Sequence, residues 1–187
     1  MSRIYDKIYP KVRNKLDVEI FKKTCQLNWI EPENIIHDKV HYDFDFVLPD
    51  INKYFNLMRN EKSPRKKLIN LGNIFSAINK LIKFTKGNVE IGVDDQFSLL
   101  NYCFIKTRPW GIFTDISFMQ LYIGNKKLKI EDSQLTQLLT ICDFIKQSDY
   151  NKLYNVSKAE YDEKCEISLK ELEEYMRQFN VDVNIIK

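Results

Sequence analysis

The stretch VEIGVDDQFSLLNYCFI, residues 89–105, sets the reading of this chain. Gly92 precedes two adjacent acids, Asp94 and Asp95, and an apolar run follows at once. Phe97, Leu100 and Phe104 recur at spacings of three and four, the period of a helix with one buried face. The segment reads as a helix with an acidic first turn. Acids there have two explanations. Asp is a favoured helix cap, and negative charge suits the positive end of the helix dipole. A carboxylate at the mouth of a buried helix can also be presented to a partner. The residues alone leave both open.

The same helical period spreads outward from this stretch. In SPRKKLINLGNIFSAINKLIKF, residues 63–84, it places Leu68, Leu71, Phe75, Ile78 and Ile82 on one face. Ser63 stands where a cap belongs and Pro64 at the first helical position. In EDSQLTQLLTICDFIK, residues 131–146, Leu135, Leu138, Leu139, Cys142 and Ile145 line up likewise. Two later capping boxes, Ser157 with Glu160 and Ser168 with Glu171, each announce a helix start. The second opens ISLKELEEYMRQF, with Leu169, Leu172, Tyr175 (or Met176) and Phe179 inward. One segment departs from the period. In VHYDFDFVL, residues 40–48, Val40, Tyr42, Phe44 and Phe46 alternate with polar residues, which predicts an extended connector.

Composition bounds the function. The chain has 187 residues, the size of one domain, with 44% apolar and 29% charged residues. Twelve Phe, 10 Tyr and 2 Trp argue for a well-filled core. No apolar run approaches the roughly 18 residues of a membrane span, and MSRIYDKIYPKVRNK lacks the apolar stretch of a signal peptide. The expectation is a cytoplasmic protein. A net charge of +3 is too mild to imply nucleic acid. The densest basic stretch, RNEKSPRKK at residues 59–67, reads as a solvated helix start, or else as a face for an acidic partner or an anionic membrane surface. Cys25, Cys103, Cys142 and Cys165 are far apart, and several sit in apolar patterns such as NYCFI and LTICDFI, as reduced core thiols do.

Covalent chemistry finds few supports. The sequence holds no phosphate-cradling G-x-x-x-x-G-K-[ST] loop and no G-x-S-x-G nucleophile elbow. His37 and His41 are the only histidines. An extended segment would splay them apart, so no metal site and no cofactor are expected, and no triad built on histidine.

Taken in order, IYDKIYPKV, LNWIEPENI, SPRKKLINL, VDDQFSLLNYCFIKTRPW, FTDISFMQLYI and LTQLLTICDFI resemble one family, the vacuolar protein sorting nine (Vps-nine) domain. The resemblance covers roughly residues 4 to 165, with YNVSKAEYDEKC similar to the family's closing helix. It implies an all-α fold, an N-terminal helical bundle (1–60) packed on a helical catalytic core (61–165). Residues 166–187 form a further helix outside the resemblance, and the whole is one compact unit.

The resemblance also implies a function: guanine nucleotide exchange on a Rab-five-type small GTPase, bound preferentially without its nucleotide. The factor would be a monomer recruited at most peripherally to endosomal membranes. A non-catalytic Rab-binding scaffold or a helical adaptor of the same fold are the alternatives. The family's acidic finger, the first Asp of an Asp-Asp pair, matches Asp94, and its neighbour matches Asp95. Partner-contacting positions match Ser98, Tyr102, Asp115, Ser133 and Thr136. Three of these depart from the family pattern. Ser98 stands for a proline, Ser133 for a tyrosine, and Asp115 for a residue that is usually Asn. The stretch from Leu128 to Thr136 is also shorter than the family's form.

Overall fold

A computed structural model describes residues 15–37, 40–87, 90–124 and 128–178, with side chains described as far as Glu174. Its elements are α1 (Lys15–Gln26), a 3-10 turn (Pro32–Asn34), α2 (Phe44–Asn60), α3 (Pro64–Lys86), α4 (Val93–Thr107), α5 (Ile112–Ile123), α6 (Lys129–Lys146), a second 3-10 turn (Tyr150–Lys152) and α7 (Lys158–Gln178). All regular structure among the described residues is helical, as the sequence implied. No helix among them is long and apolar enough to cross a membrane.

The apolar stripes read from the sequence are the buried ones. Leu68, Leu71, Phe75, Ile78 and Ile82 of α3 are buried, as are Leu135, Leu138, Cys142 and Ile145 of α6, with Leu139 packed against them. All four cysteines are buried free thiols. One apolar cluster runs from Ile20 to Cys165. Within it α1 packs on α4, α5, α6 and α7, while α2 packs on α3, α4 and α5.

Three local expectations need correction. Residues 40–48 are not an extended run, because α2 starts at Phe44. The alternating residues do not share a face: Tyr42 and Phe44 are buried, whereas Val40 and Phe46 are exposed. A second pattern wins. Phe44, Val47, Ile51, Phe55 and Met58 form a five-residue helical stripe, and Asp43 accepts the amide of Phe46 to cap it. Ser63 occupies the cap position of α3 but its hydroxyl caps nothing; the Glu61 carboxylate instead accepts the Ser63 amide at 2.8 Å. Ser157 does accept the Glu160 amide at 3.2 Å, but Ser168 lies in mid-helix, because α7 is continuous. No Gly or Pro interrupts residues 158–178, and i,i+4 ion pairs, Lys164–Glu160 and Lys170–Glu166, flank the serine. Leu169 and Leu172 are half-buried. Tyr175, Met176 and Phe179 lie outside the described side chains.

The N-terminus of α5 is the junction of the fold. It starts from Gly111, whose φ of 74° is left-handed and whose missing side chain offers no cap. Asp17 of α1 supplies one from 96 residues away. Its carboxylate accepts the amides of Phe113 (2.7 Å) and Thr114 (3.2 Å) and the Thr114 hydroxyl. One turn on, Asp115 accepts from the Lys67 ammonium of α3 at 2.7 Å, with Arg59 of α2 at 3.9 Å. Lys67 and Asp115 are 0% and 1% exposed. The ammonium also donates to the Met58 carbonyl at 2.6 Å. Burial holds the Lys67 pKa below the usual lysine range, and Asp115 opposes that shift. The basic stretch 59–67 is therefore not simply a solvated helix start. Its last lysine is a core residue.

Removing one charge of a buried pair strands the other. Asp115→Asn keeps the shape and loses the charge. It should cost about 3–5 kcal/mol, lowering Tm by roughly 6–20 °C. Adding Lys67→Met should recover much of the loss, because the stranded ammonium goes with it. Thermal unfolding of these variants and of Lys67→Met alone checks this. A double variant less stable than Asp115→Asn by the full cost of Lys67→Met alone would show the pair to be uncoupled.

Candidate functional site

Helix α4 begins at Gly92, the N-cap residue, with φ −67° and ψ 144°. Val93, Asp94 and Asp95 fill its first turn, so neither acid occupies the cap position and Asp95 does not take the cap role. Asp95 turns instead to Lys86 at the end of α3, with its carboxylate 3.0 Å from the ammonium. That ammonium also lies over the Tyr42 ring, 5.9 Å from its centre. Asp94 is exposed, and among the described residues no hydrogen bond or ion pair engages it. Of two adjacent carboxylates, the fold neutralises one and presents the other.

Beneath Asp94 lies an open groove of about 410 Å³. Asp94, Ser98 and Asn101 of α4 line it, two helical turns of one face. Phe97 and Phe144 of α6 wall it edge to face at 5.8 Å. Ile36 and Tyr154 close the other side, Tyr154 against His37 at 5.2 Å. The Asn101 side chain is 1% exposed. Its amide nitrogen donates to the Phe97 carbonyl at 3.0 Å, which fixes the orientation of the group. The amide oxygen meets no donor among the described residues.

The structure brings Asp94, Asp95 and Ser98 together at this groove. The other residues singled out from the sequence lie elsewhere. Tyr102 is buried against Phe44 with ring centres 4.3 Å apart, and burial pushes its hydroxyl pKa up. Asp115 sits in the core ion pair. Its carboxylate answers Lys67. Ser133 and Thr136 are on the exposed face of α6, where Thr136 donates to the Asp132 carbonyl at 2.9 Å. Neither lines the groove. Sequence reasoning missed Lys86, Asn101 and the far wall. Asn101 sits inside an apolar run where only its polarity marks it, and the wall joins segments some 50 to 110 residues apart.

A helical body that presents an exposed carboxylate at the lip of a groove with both apolar and polar walls is suited to binding a partner. Residues 48–150, more than half of the chain, match the family model described as the Vacuolar sorting protein 9 (VPS9) domain. The chain belongs to this family, whose members are guanine nucleotide exchange factors acting on small GTPases. The match runs from the second turn of α2 to the turn after α6, and α1 and α7 lie outside it. A search of curated proteins finds no match.

A buried carbonyl oxygen with no donor costs about 1–3 kcal/mol. Asn101→Leu removes it at similar volume and loses one amide-to-carbonyl bond, worth about 1 kcal/mol. The variant should be as stable as wild type, or more so by about 1–2 kcal/mol. Urea unfolding measures this, and a loss above about 1 kcal/mol would mean that the oxygen has a partner after all.

Proposed function

We propose that this protein accelerates GDP release from a Rab-five-like small GTPase by inserting Asp94 at the phosphate and Mg²⁺ site. The observation that carries the reading is the exposed Asp94 carboxylate, unpaired in the first turn of a helix anchored by Leu100 and Phe104. A GTPase holds its nucleotide through a backbone cradle, a loop lysine and Mg²⁺. Release is slow because those charges are desolvated and mutually satisfied. A carboxylate delivered there pairs with the freed lysine and repels the phosphates. The exchange factor then stabilises the nucleotide-free state more than the bound state, which is all that catalysis of release requires.

The pairing of Asp95 with Lys86 supports a division of labour. Asp95 sets the corner between α3 and α4, and Asp94 remains to act. The apolar walls of the groove supply affinity for the switch regions, so charge and binding energy come from different side chains. A second reading, a Rab-binding scaffold with weak exchange activity, is favoured by one residue. The exposed Ser133 offers a hydroxyl where the family has an aromatic contact.

Asp94→Asn should slow stimulated GDP release roughly 30-fold to 1,000-fold, corresponding to about 2–4 kcal/mol, by analogy with deleting one preorganised electrostatic contact. Stability should fall by no more than about 0.3–1 kcal/mol, the loss of one exposed negative charge from the first turn. Asp95→Asn, the control, should be milder. Release of fluorescent GDP from a panel of Rab GTPases gives the rates. Wild-type activity in a folded Asp94→Asn protein would remove the finger assignment.

Binding and nucleotide oppose each other reciprocally. Retention of the GTPase should therefore be strong in chelator and weak in excess Mg²⁺ and GDP or GTP, as a pull-down reads directly. Equal or stronger retention with GTP would mark an effector-like binder instead.

A further inference from the structure

Two of the most exposed large apolar side chains in the described structure stand side by side. Phe46, in the first turn of α2, is 71% exposed and Phe84, in the last turns of α3, is 82% exposed. Their rings stack with centres 6.4 Å apart and planes 22° from parallel. A stacked pair contributes little to folding when both rings remain in water, and a surface phenylalanine so open is a mark of a contact site.

The place of the pair says what covers it. Phe84 lies two residues before Lys86, whose ammonium pairs with Asp95 and covers Tyr42. Phe46 lies four residues after Tyr42. On the other side of this corner Val93, 67% exposed, is the immediate neighbour of Asp94. The aromatic pair, the Lys86–Asp95 bridge and Asp94 thus form one continuous end of the molecule, where α2 starts, α3 stops and α4 starts.

Charge decides between a protein and a lipid surface. Within four residues in sequence of either ring or of Asp94 the exposed acids are Asp43, Asp45, Asp50 and Glu90, against the exposed bases Lys80 and Lys83, and the exposed Lys152 lines the groove beside Asp94. Lys86 is already matched by Asp95. With Asp94 itself unpaired, this end is acidic and repels an anionic bilayer. Its surroundings suit a partner with an apolar patch rimmed by basic groups.

We infer that Phe46 and Phe84 form a second, non-catalytic anchor for the same GTPase that Asp94 acts on, gripping an apolar patch beside its nucleotide site. This rests on the exchange reading above and adds a contact surface on the α2–α3 corner, outside the groove. The two parts have separable jobs. Asp94 acts on release of the phosphates, and the aromatic pair raises the affinity of the encounter.

The test uses the whole chain and the Rab GTPase whose GDP release it accelerates most in the panel. Initial rates are measured against GTPase concentration for wild type, Phe46→Ser/Phe84→Ser and Asp94→Asn. The double variant should raise KM roughly ten-fold or more with kcat within about two-fold, whereas Asp94→Asn should lower kcat. Both rings are exposed, so thermal unfolding should be unchanged; the single Phe84→Ser serves if the double variant unfolds early, with a smaller rise in KM expected. An unchanged KM in an active, folded variant overturns the anchor and leaves the exchange reading intact. Absence of stimulated release by wild type across the panel removes both. Co-sedimentation with phosphatidylserine vesicles is run in parallel. Vesicle binding that the substitutions abolish while KM stays unchanged would make the pair a membrane contact and overturn the inference.

Discussion

The fold depends on how the N-terminus of α5 is satisfied. A buried helix end leaves amide donors without partners, and each costs free energy unless something accepts from it. Here the local sequence supplies no cap, since Gly111 has no side chain and holds a left-handed conformation that suits glycine. A Cβ at that position would lie 2.5 Å from the Arg59 guanidinium carbon. The acceptor comes from α1, through Asp17. One turn further, Asp115 gathers Lys67 and Arg59. Two carboxylates at one helix end thus fasten α1, α2 and α3 to α5. Both suit the positive end of the α5 dipole.

This junction explains why the site can be left unsatisfied. Buried charges need partners, so the interior consumes Asp17, Asp115 and Lys67. At the α3–α4 corner Lys86 is consumed by Asp95. Asp94 lies one residue earlier, about 100° round the helix, and is exposed, with no hydrogen bond or ion pair among the described residues. The helix that carries it is held by Leu100, Phe104 and their neighbours in the core. A rigid mount with an exposed charge is the property on which the role proposed for Asp94 rests.

The groove mixes two kinds of surface for related reasons. Its walls, Phe97, Phe144 and Ile36, are continuous with the core and can take up apolar side chains without rearrangement. Its lip carries charge, and its floor carries the Asn101 amide, whose oxygen lacks a donor. Polar groups left unmet beside an apolar wall favour a partner that brings both chemistries in fixed register, which is a source of specificity.

What the sequence determined by itself were the features carried by short-range periodicity. The helices α3, α4 and α6, their buried stripes and the acidic first turn of α4 follow from spacing along one segment, since a helix places residues three and four apart on one face whatever surrounds it. The resemblance led to the family that residues 48–150 match. Two short-range signals gave way to stronger ones. The alternation at 40–48 yielded to a longer helical stripe, and the cap signal at Ser168 yielded to an unbroken α7. Only the tertiary structure decided the fate of each charge. Lys67 reads as one of several lysines at a helix start, yet it is the core cation. Asp95 reads as the twin of Asp94, yet it is the one with a partner. Those outcomes rest on contacts between residues 9 and 48 positions apart. Whether a side chain is neutralised depends on which charge the fold brings within about 4 Å, and no local pattern encodes that distance.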